Sequence, residues 1–311
     1  MEMDPQTKIE PGIDILGLGA VAVDELIYVE SYPAANSKIR IVDRERQCGG
    51  LTATALVAAA SLGCRCAYAG VTGIDEESDF ALDALSKAGI QVNLARRESE
   101  NRVFHSTIIV DNEGGRTLFC DGRDVQGAGD DWPEEHIIRS CKVLFVDHIG
   151  MTGMIRAARI ARSSGIPIVA DIERSGSELF DQLRSLVDHL IVPEELARSL
   201  TGRDDPAQAA VCLWNPSMQA AVVTCGEKGC WYLGSDCLPK HQPAYRVEVI
   251  DTTGCGDVFH GAYAAGLVSG LDLYARIRLS TAAAAIKATR RGGQAGCPTM
   301  AEVESFLSSR G

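Results

Sequence analysis

The sequence predicts an α/β protein, a doubly wound and mostly parallel sheet flanked by helices, with two further strand patches of another kind. Three observations carry this. Short apolar runs rich in β-branched residues alternate with helical segments over short connections, the pattern of parallel strands joined by right-handed crossovers. Helices close on glycines, at Gly63, Gly89 and Gly202. Two patches behave differently: residues 38–46 and 103–120 alternate apolar with polar positions, as strands with one wet face do.

Taken in order, residues 14–19 read as a first buried strand. The run Gly17-Leu18-Gly19-Ala20-Val21-Ala22 matches the G-x-G-x-x-A dinucleotide fingerprint and raises a nicotinamide-dependent dehydrogenase as one reading. The segment after it is β-branched and alternating up to Pro33, not a helix opening on a pyrophosphate. Residues 48–54 form a glycine turn leading into an alanine-rich helix. Residues 66–73 then read as a strand and 78–88 as a helix. Residues 112–115 read as the turn of a hairpin between 103–110 and 116–120. Strands at 142–147, 166–171, 190–192 and 220–225 alternate with helices at 153–163, 178–185 and 194–200. Residues 245–250 alternate and read as a strand, followed by a tight glycine turn and a helix through Gly266. Helices at 280–287 and 301–308 close the chain. Sheets of this kind bind ligands at the carboxyl ends of their strands. Asp147, Asp171, Glu194 and Asp251 are placed there.

The 311 residues are 46% hydrophobic and 23% charged, with a formal net charge of −12. Such acidity argues against nonspecific nucleic-acid binding. The first twelve residues are acidic and proline-bearing without an apolar core, unlike a signal or transit peptide. No apolar run approaches membrane-spanning length, so a cytoplasmic protein without a membrane partner is expected. Eleven cysteines contain no C-x-x-C pair, and most read as buried, reduced thiols, Cys141, Cys212, Cys225 and Cys230 among them.

The chemistry concentrates in Asp251-Thr252-Thr253-Gly254-Cys255-Gly256-Asp257. Gly254 and Gly256 let the backbone turn sharply and keep Cβ atoms clear of a ligand. Helix-opening amides have no intrahelical partner and sit at the positive end of the dipole, which suits phosphate. Asp257 makes no sense as an anion ligand there. It can be a helix cap, or a base taking a proton from a hydroxyl that attacks phosphorus.

The whole run DTTGCGDVFHGAYAAG resembles the DTxGAGD signature of the ribokinase/PfkB family of carbohydrate kinases, with Cys255 for the usual alanine. Gly49 and Gly50 match the family's GG turn, with Thr54 in place of its usual asparagine. The resemblance covers nearly the whole chain. It implies one ribokinase-like domain over 1–311, with a lid built from about 24–47 and 97–122, and ATP and Mg2+ as cofactors. It implies Asp257 as base, the amides of 254–257 as an anion hole, and Asp24, Gly49, Gly50, Thr54 and Asp147 as sugar contacts. Thr224, Gly226, Lys228 and Gly229 match a nucleotide loop. The family's magnesium-organising N-x-x-E has Pro193 at its asparagine, leaving Glu194 or Glu195 to act through water. Asp251 and Thr253 match a K+-type monovalent-cation site, together with the loop at 289–296. A homodimer through the lid is the expected assembly. The C-terminal run is most similar to sulfofructose kinases, whose anionic acceptor would need a clamp from Lys38, Arg102 or Arg123. Ribose, ketohexose and nucleoside acceptors stay open, as does a catalytically silent nucleotide-binding member.

Overall fold

The structure, a computed structural model, describes residues 12–112, 115–174 and 178–310. The chain opens with β1 (Ile13–Leu18), every residue buried. It then leaves the main sheet for β2 (Ala22–Tyr28) and β3 (Asp43–Gly49), and returns through α1 (Leu51–Ser61) and β4 (Cys66–Tyr68). A short β5 (Val71–Thr72), α2 (Glu76–Lys87) and β6 (Arg96–Arg97) lead to a second excursion, β7 (Phe104–Val110) and β8 (Arg116–Asp121). Next come α3 (Glu135–Ile138), β9 (Cys141–Val146), α4 (Met151–Ser163), β10 (Ile168–Asp171) and α5 (Glu178–Leu186). β11 (His189–Pro193), α6 (Glu194–Thr201), α7 (Pro206–Leu213) and β12 (Ala220–Thr224) come after these. An edge hairpin of β13 (Cys230–Leu233) and β14 (Lys240–Gln242) precedes α8 (Cys255–Val268), α9 (Leu273–Ala288) and α10 (Met300–Ser308).

The main sheet has eight strands in the order β14-β13-β12-β11-β10-β9-β1-β4. The six from β12 to β4 are parallel, and β13 and β14 add an antiparallel edge. Alternate residues of each strand feed two cores, one per face. Ile15, Phe145, Ile191 and Val222 join one with Leu56, Val258 and Tyr263. Leu16, Leu144, Leu190 and Val223 join the other with Met154 and Leu183. From β1 the chain steps first to β4 on one side and later to β9 on the other. The crevice between those departures is where such a sheet binds ligands.

The two excursions build a separate sheet in the order β3-β2-β7-β8. Its first strand leaves directly from the carboxyl end of β1, and β3 delivers the chain to α1 at Gly49. The small sheet is thereby anchored at the switch point.

The sequence expectations are corrected in several places. Residues 245–250 are no strand; they have no ladder partner, and Val249 and Ile250 are exposed. Alternation set their side chains, but no neighbouring strand is available to satisfy their backbone. Asp251 therefore does not end a strand. The lid strand expected at 38–46 begins only at Asp43, because β2, its partner, ends at Tyr28 in register with it. The strand expected at 66–73 breaks between two sheets, β4 pairing with β1 and β5 with β6. Cys212 is exposed, although Cys141, Cys225 and Cys230 are buried, and all eleven cysteines are free. α3, α7 and the β13–β14 hairpin were not anticipated. For α7 the signal was present: Asp205 caps the helix and Pro206 occupies its first turn. The N-terminal segment 1–11 and two hairpin-turn residues, Glu113 and Gly114, lie outside the described residues. No helix among the described residues is long and apolar enough to cross a membrane.

Candidate active site

The first turn of α8 is the centre of the site. Gly254 precedes the helix in a left-handed conformation, φ 74°, where a Cβ would be strained. The Cys255 amide is used within the turn, donating to the Thr252 carbonyl at 3.2 Å. Among the described residues, the amides of Gly254, Gly256 and Asp257 have no protein acceptor. The cluster expected at 254–257 is thus reduced by one donor. Cys255 turns its thiol away, toward the Ala284 carbonyl at 3.6 Å, and burial pushes it up to about 11. It stays a thiol at neutral pH and is a poor nucleophile.

Asp257 lines a small pocket with Asp24, Gln47, Gly49, Gly50, Thr54 and Gly254. Burial, then the carboxylates of Asp171, Glu173, Asp147 and Asp24, raise its carboxyl well above the ordinary range. A carboxyl in such surroundings keeps its proton to higher pH than an ordinary aspartate does. Asp24, projecting from β2, is also raised by burial, with a hydrogen bond from Ser106 opposing the shift. Its carboxylate occupies the space a side chain at Gly49 would need, since a Cβ there would lie 2.3 Å from Asp24 Oδ2. The small sheet thus carries Asp24 to within the same pocket as the helix mouth.

On the other side of the turn lies a second cavity of about 690 Å3, within the range of small-molecule sites. Thr224, Gly226 and Gly229 line one wall. Phe259 with Ala284, Ala285 and Ala288 makes an apolar floor, and Tyr245, Val247 and Val249 close the far side. The stretch expected as a strand is therefore a pocket wall, with the exposed Val249 among the lining residues.

Lys228 does not line that cavity; its ammonium is 3.9 Å from Glu194 Oε2 at a largely exposed position. Glu194 opens α6 and is half-buried, whereas Glu195 faces solvent. Between the two, Glu194 is the one beside Lys228 and the 224–229 loop. The described residues hold no cluster of three potential metal ligands. That donor set fits a magnesium ion carried mainly by phosphate oxygens and waters, not one caged by protein.

Asp147 is placed otherwise than expected. It is fully buried and accepts from the Ala20 amide at 2.6 Å, the Ile149 amide at 2.7 Å and the Thr52 hydroxyl at 2.9 Å. Even so, burial outweighs these bonds and pushes it up to about 6. It ties β1 to α1 and β9, and it is not among the residues that line the small pocket. Its carboxylate also fills the space beside Gly19, and β2 stands where a dinucleotide fold needs a helix. These two facts remove the dehydrogenase reading.

The residues at the expected monovalent-cation site do not fit a metal ion. The Asp251 carbonyl already accepts from the Lys287 ammonium at 2.7 Å, and the Asp251 carboxylate accepts the amides of Thr253 and Gly292 at 2.8 and 2.9 Å. Burial would raise that carboxyl, but those amides, the Thr253 hydroxyl and Lys287 together hold it below the usual range. Of the cations considered for an anionic acceptor, Lys38, Arg102 and Arg123, none lines the small pocket. Arg123 is instead paired with Asp121.

Two further residues of the site were not anticipated. Arg116, at the start of β8, lays its guanidinium across the signature loop, on the hydroxyls of Thr252 and Thr253. His260 bonds the Gly256 carbonyl through Nδ1 at 2.7 Å, with Asp171 Oδ2 at 3.3 Å from the same nitrogen. The clue to His260 was its spacing, one helical turn beyond Gly256. Arg116 gave no comparable signal, because its contact spans the gap between two sheets.

Residues 15–300 match the pfkB family carbohydrate kinase model. The ribokinase of Haemophilus influenzae is 26% identical over 302 residues, covering 93% of this chain and 97% of that protein. The crystal structure of a provisionally named ribokinase of Agrobacterium tumefaciens superposes with a TM-score of 0.89 at 29% identity, covering 96% and 98% of the two chains. The ribokinase of Arabidopsis thaliana, solved with ribose and ATP, shares the fold at TM-score 0.83 and 21% identity, covering 95% and 99%. A family match over nearly the full length, on a chain with this helix mouth and these two cavities, leads to one conclusion: the chain belongs to the pfkB family of carbohydrate kinases.

Proposed function

We propose that this kinase moves the γ-phosphoryl group of ATP to a primary hydroxyl of an uncharged sugar, with Asp257 as the base. One observation carries the reading. The first turn of α8 is a wall shared by two pockets: Thr252, Cys255 and Gly256 line the large apolar one, and Thr253, Gly254 and Asp257 line the small polar one. A nucleotide in the first cavity and an alcohol in the second meet across that turn.

Asp257 accepts the hydroxyl proton as the oxygen attacks. The amides of Gly254, Gly256 and Asp257 steady charge on the phosphoryl oxygens, as preorganised dipoles that need no reorientation. Thr224, Gly226 and Gly229 hold the nucleotide, with Lys228 at the rim. Asp24, Gly49, Gly50 and Thr54 orient the acceptor. Magnesium, organised through water by Glu194, supplies neutralisation of phosphate charge when bound. The small sheet is a lid, excluding water that would otherwise take the phosphoryl group. Pairing of two lids would give a homodimer, to be read from the mass in solution.

The small pocket favours an uncharged acceptor. Asp24 and Asp257 both face it, and among its lining residues there is no lysine or arginine. A sulfonate or phosphate there would meet carboxylates without a clamp. The test is ADP release with Mg-ATP across ribose, ketohexoses, nucleosides and sulfofructose. Turnover on a neutral sugar well above the sugar-free rate is expected. Activity confined to the sulfonate would reject this acceptor class.

A further inference from the structure

Lys287 stands out among the described lysines and arginines, being fully buried in the last turn of α9. A buried charge is costly unless it is paired and hydrogen-bonded. Its ammonium lies 2.7 Å from the Asp251 carbonyl oxygen, 3.4 Å from the Arg290 carbonyl oxygen and 3.7 Å from Asp251 Oδ2. These three oxygens face it from two different loops. One is the loop running into the helix mouth; the other comes after α9.

The same two loops are joined at Asp251, whose carboxylate accepts from Thr253 on one side and Gly292 on the other. Gly293 in turn lies against Gly254, the residue that sets the turn: a Cβ on Gly254 would come 3.1 Å from Gly293 Cα. The lysine stem passes beside Gly296, where a Cβ would approach Lys287 Cε to 3.1 Å. The chain therefore makes room for the side chain and surrounds its tip with oxygen.

We propose that the Lys287 ammonium is a built-in cation that fixes the anion-hole loop, so that this enzyme needs no free monovalent metal ion. An ammonium and a potassium ion are similar in size and are held by the same carbonyl and carboxylate oxygens. Here the charge is delivered covalently, from α9, and its position does not depend on ion concentration. Lys287 is a positioning residue. It touches neither pocket and acts through Asp251 and the backbone of 252–254. The inference rests on the phosphoryl-transfer reading above.

The experiment compares wild type, Lys287→Ala and Lys287→Met in choline buffer, with and without added KCl or NH4Cl. Wild-type kcat changes by less than about twofold on adding potassium. Lys287→Ala, which opens a cavity among the oxygens, loses about tenfold or more in kcat with little change in sugar KM. Potassium or ammonium restores most of that loss, while Lys287→Met, which fills the space without charge, is not rescued. In thermal melts potassium stabilises Lys287→Ala and leaves wild type unmoved.

A wild type that is inactive until potassium is added overturns the proposal. So does a Lys287→Ala variant with full kcat in choline. If neither variant folds, the wild-type titration still decides. If no sugar is phosphorylated at all, the transfer reading fails, and the melts alone judge whether Lys287 fills a cation site.

Discussion

Two aspartates near the ligand end of the sheet, Asp147 and Asp257, look alike in the sequence, each coming after an apolar or glycine-rich run and close to a helix start. Their surroundings differ. Asp147 is enclosed by three donors from three segments. Asp257 has no protein donor among the described residues and shares its pocket with Asp24. Burial raises both carboxyls, but only at Asp257 do neighbouring carboxylates lead the remaining causes. A satisfied buried carboxylate is architecture. An unsatisfied one, open to a cleft and held among like charges, costs stability and persists because a ligand or a proton uses it.

The contrast is sharpest when the same change is made twice. We predict that Asp257→Asn lowers kcat by about 10²–10⁴-fold, the usual worth of a general base, while its melting temperature stays level or rises as charge leaves the acidic cluster. Asp147→Asn should do the reverse. Its amide group would face one of three donors, at a cost of about 1–3 kcal/mol in unfolding free energy, with kcat largely kept in the folded fraction. Chemical denaturation and steady-state assays on both variants check this pair. Equal rate losses would erase the distinction between them.

A smaller effect tests the source of the Asp257 shift. Asp171 leads the charged neighbours that raise it. Removing a negative charge eases deprotonation, so Asp171→Asn should move the acid limb of kcat/KM to lower pH. The limb shifts the opposite way, or not at all, if Asp171 does not act on Asp257. The smallest effect belongs to Cys255. Its thiol points to the Ala284 carbonyl and not to the proposed anion hole, so Cys255→Ala should change kcat by less than about threefold. Alkylating reagents at neutral pH should leave the wild-type activity intact.

Much of the fold was legible because parallel strands buried on both faces leave apolar runs that few other elements produce. The runs around Ile15, Leu144, Ile168 and Val222 all became strands of one sheet. Residues 245–250 misled because alternation reports side-chain surroundings, not hydrogen-bond partners. Their apolar face meets a ligand cavity, which imitates a core. The edge hairpin of β13 and β14 was missed for the complementary reason, since edge strands alternate weakly and are short. At the site, the glycine turn and Asp257 could be read from local spacing. Lys287 and Arg116 could not, since both act across gaps of more than thirty residues. The misplacement of Asp147 as a sugar contact has the same origin: its donors at Ala20 and Thr52 come from elsewhere in the chain.

The central claim is that Asp257, held above the ordinary carboxylate range, takes the acceptor's proton during transfer. Single-turnover phosphorylation, measured from acid to neutral pH, tests it most directly in wild type and Asp257→Asn. Since the base works only when ionised, the wild-type rate should fall with acidity through a pKa well above that of a free aspartate, and the variant should be slow with no such limb. A wild-type rate that stays flat down to the range of an ordinary carboxylate, or a variant that keeps the same limb, would contradict the account.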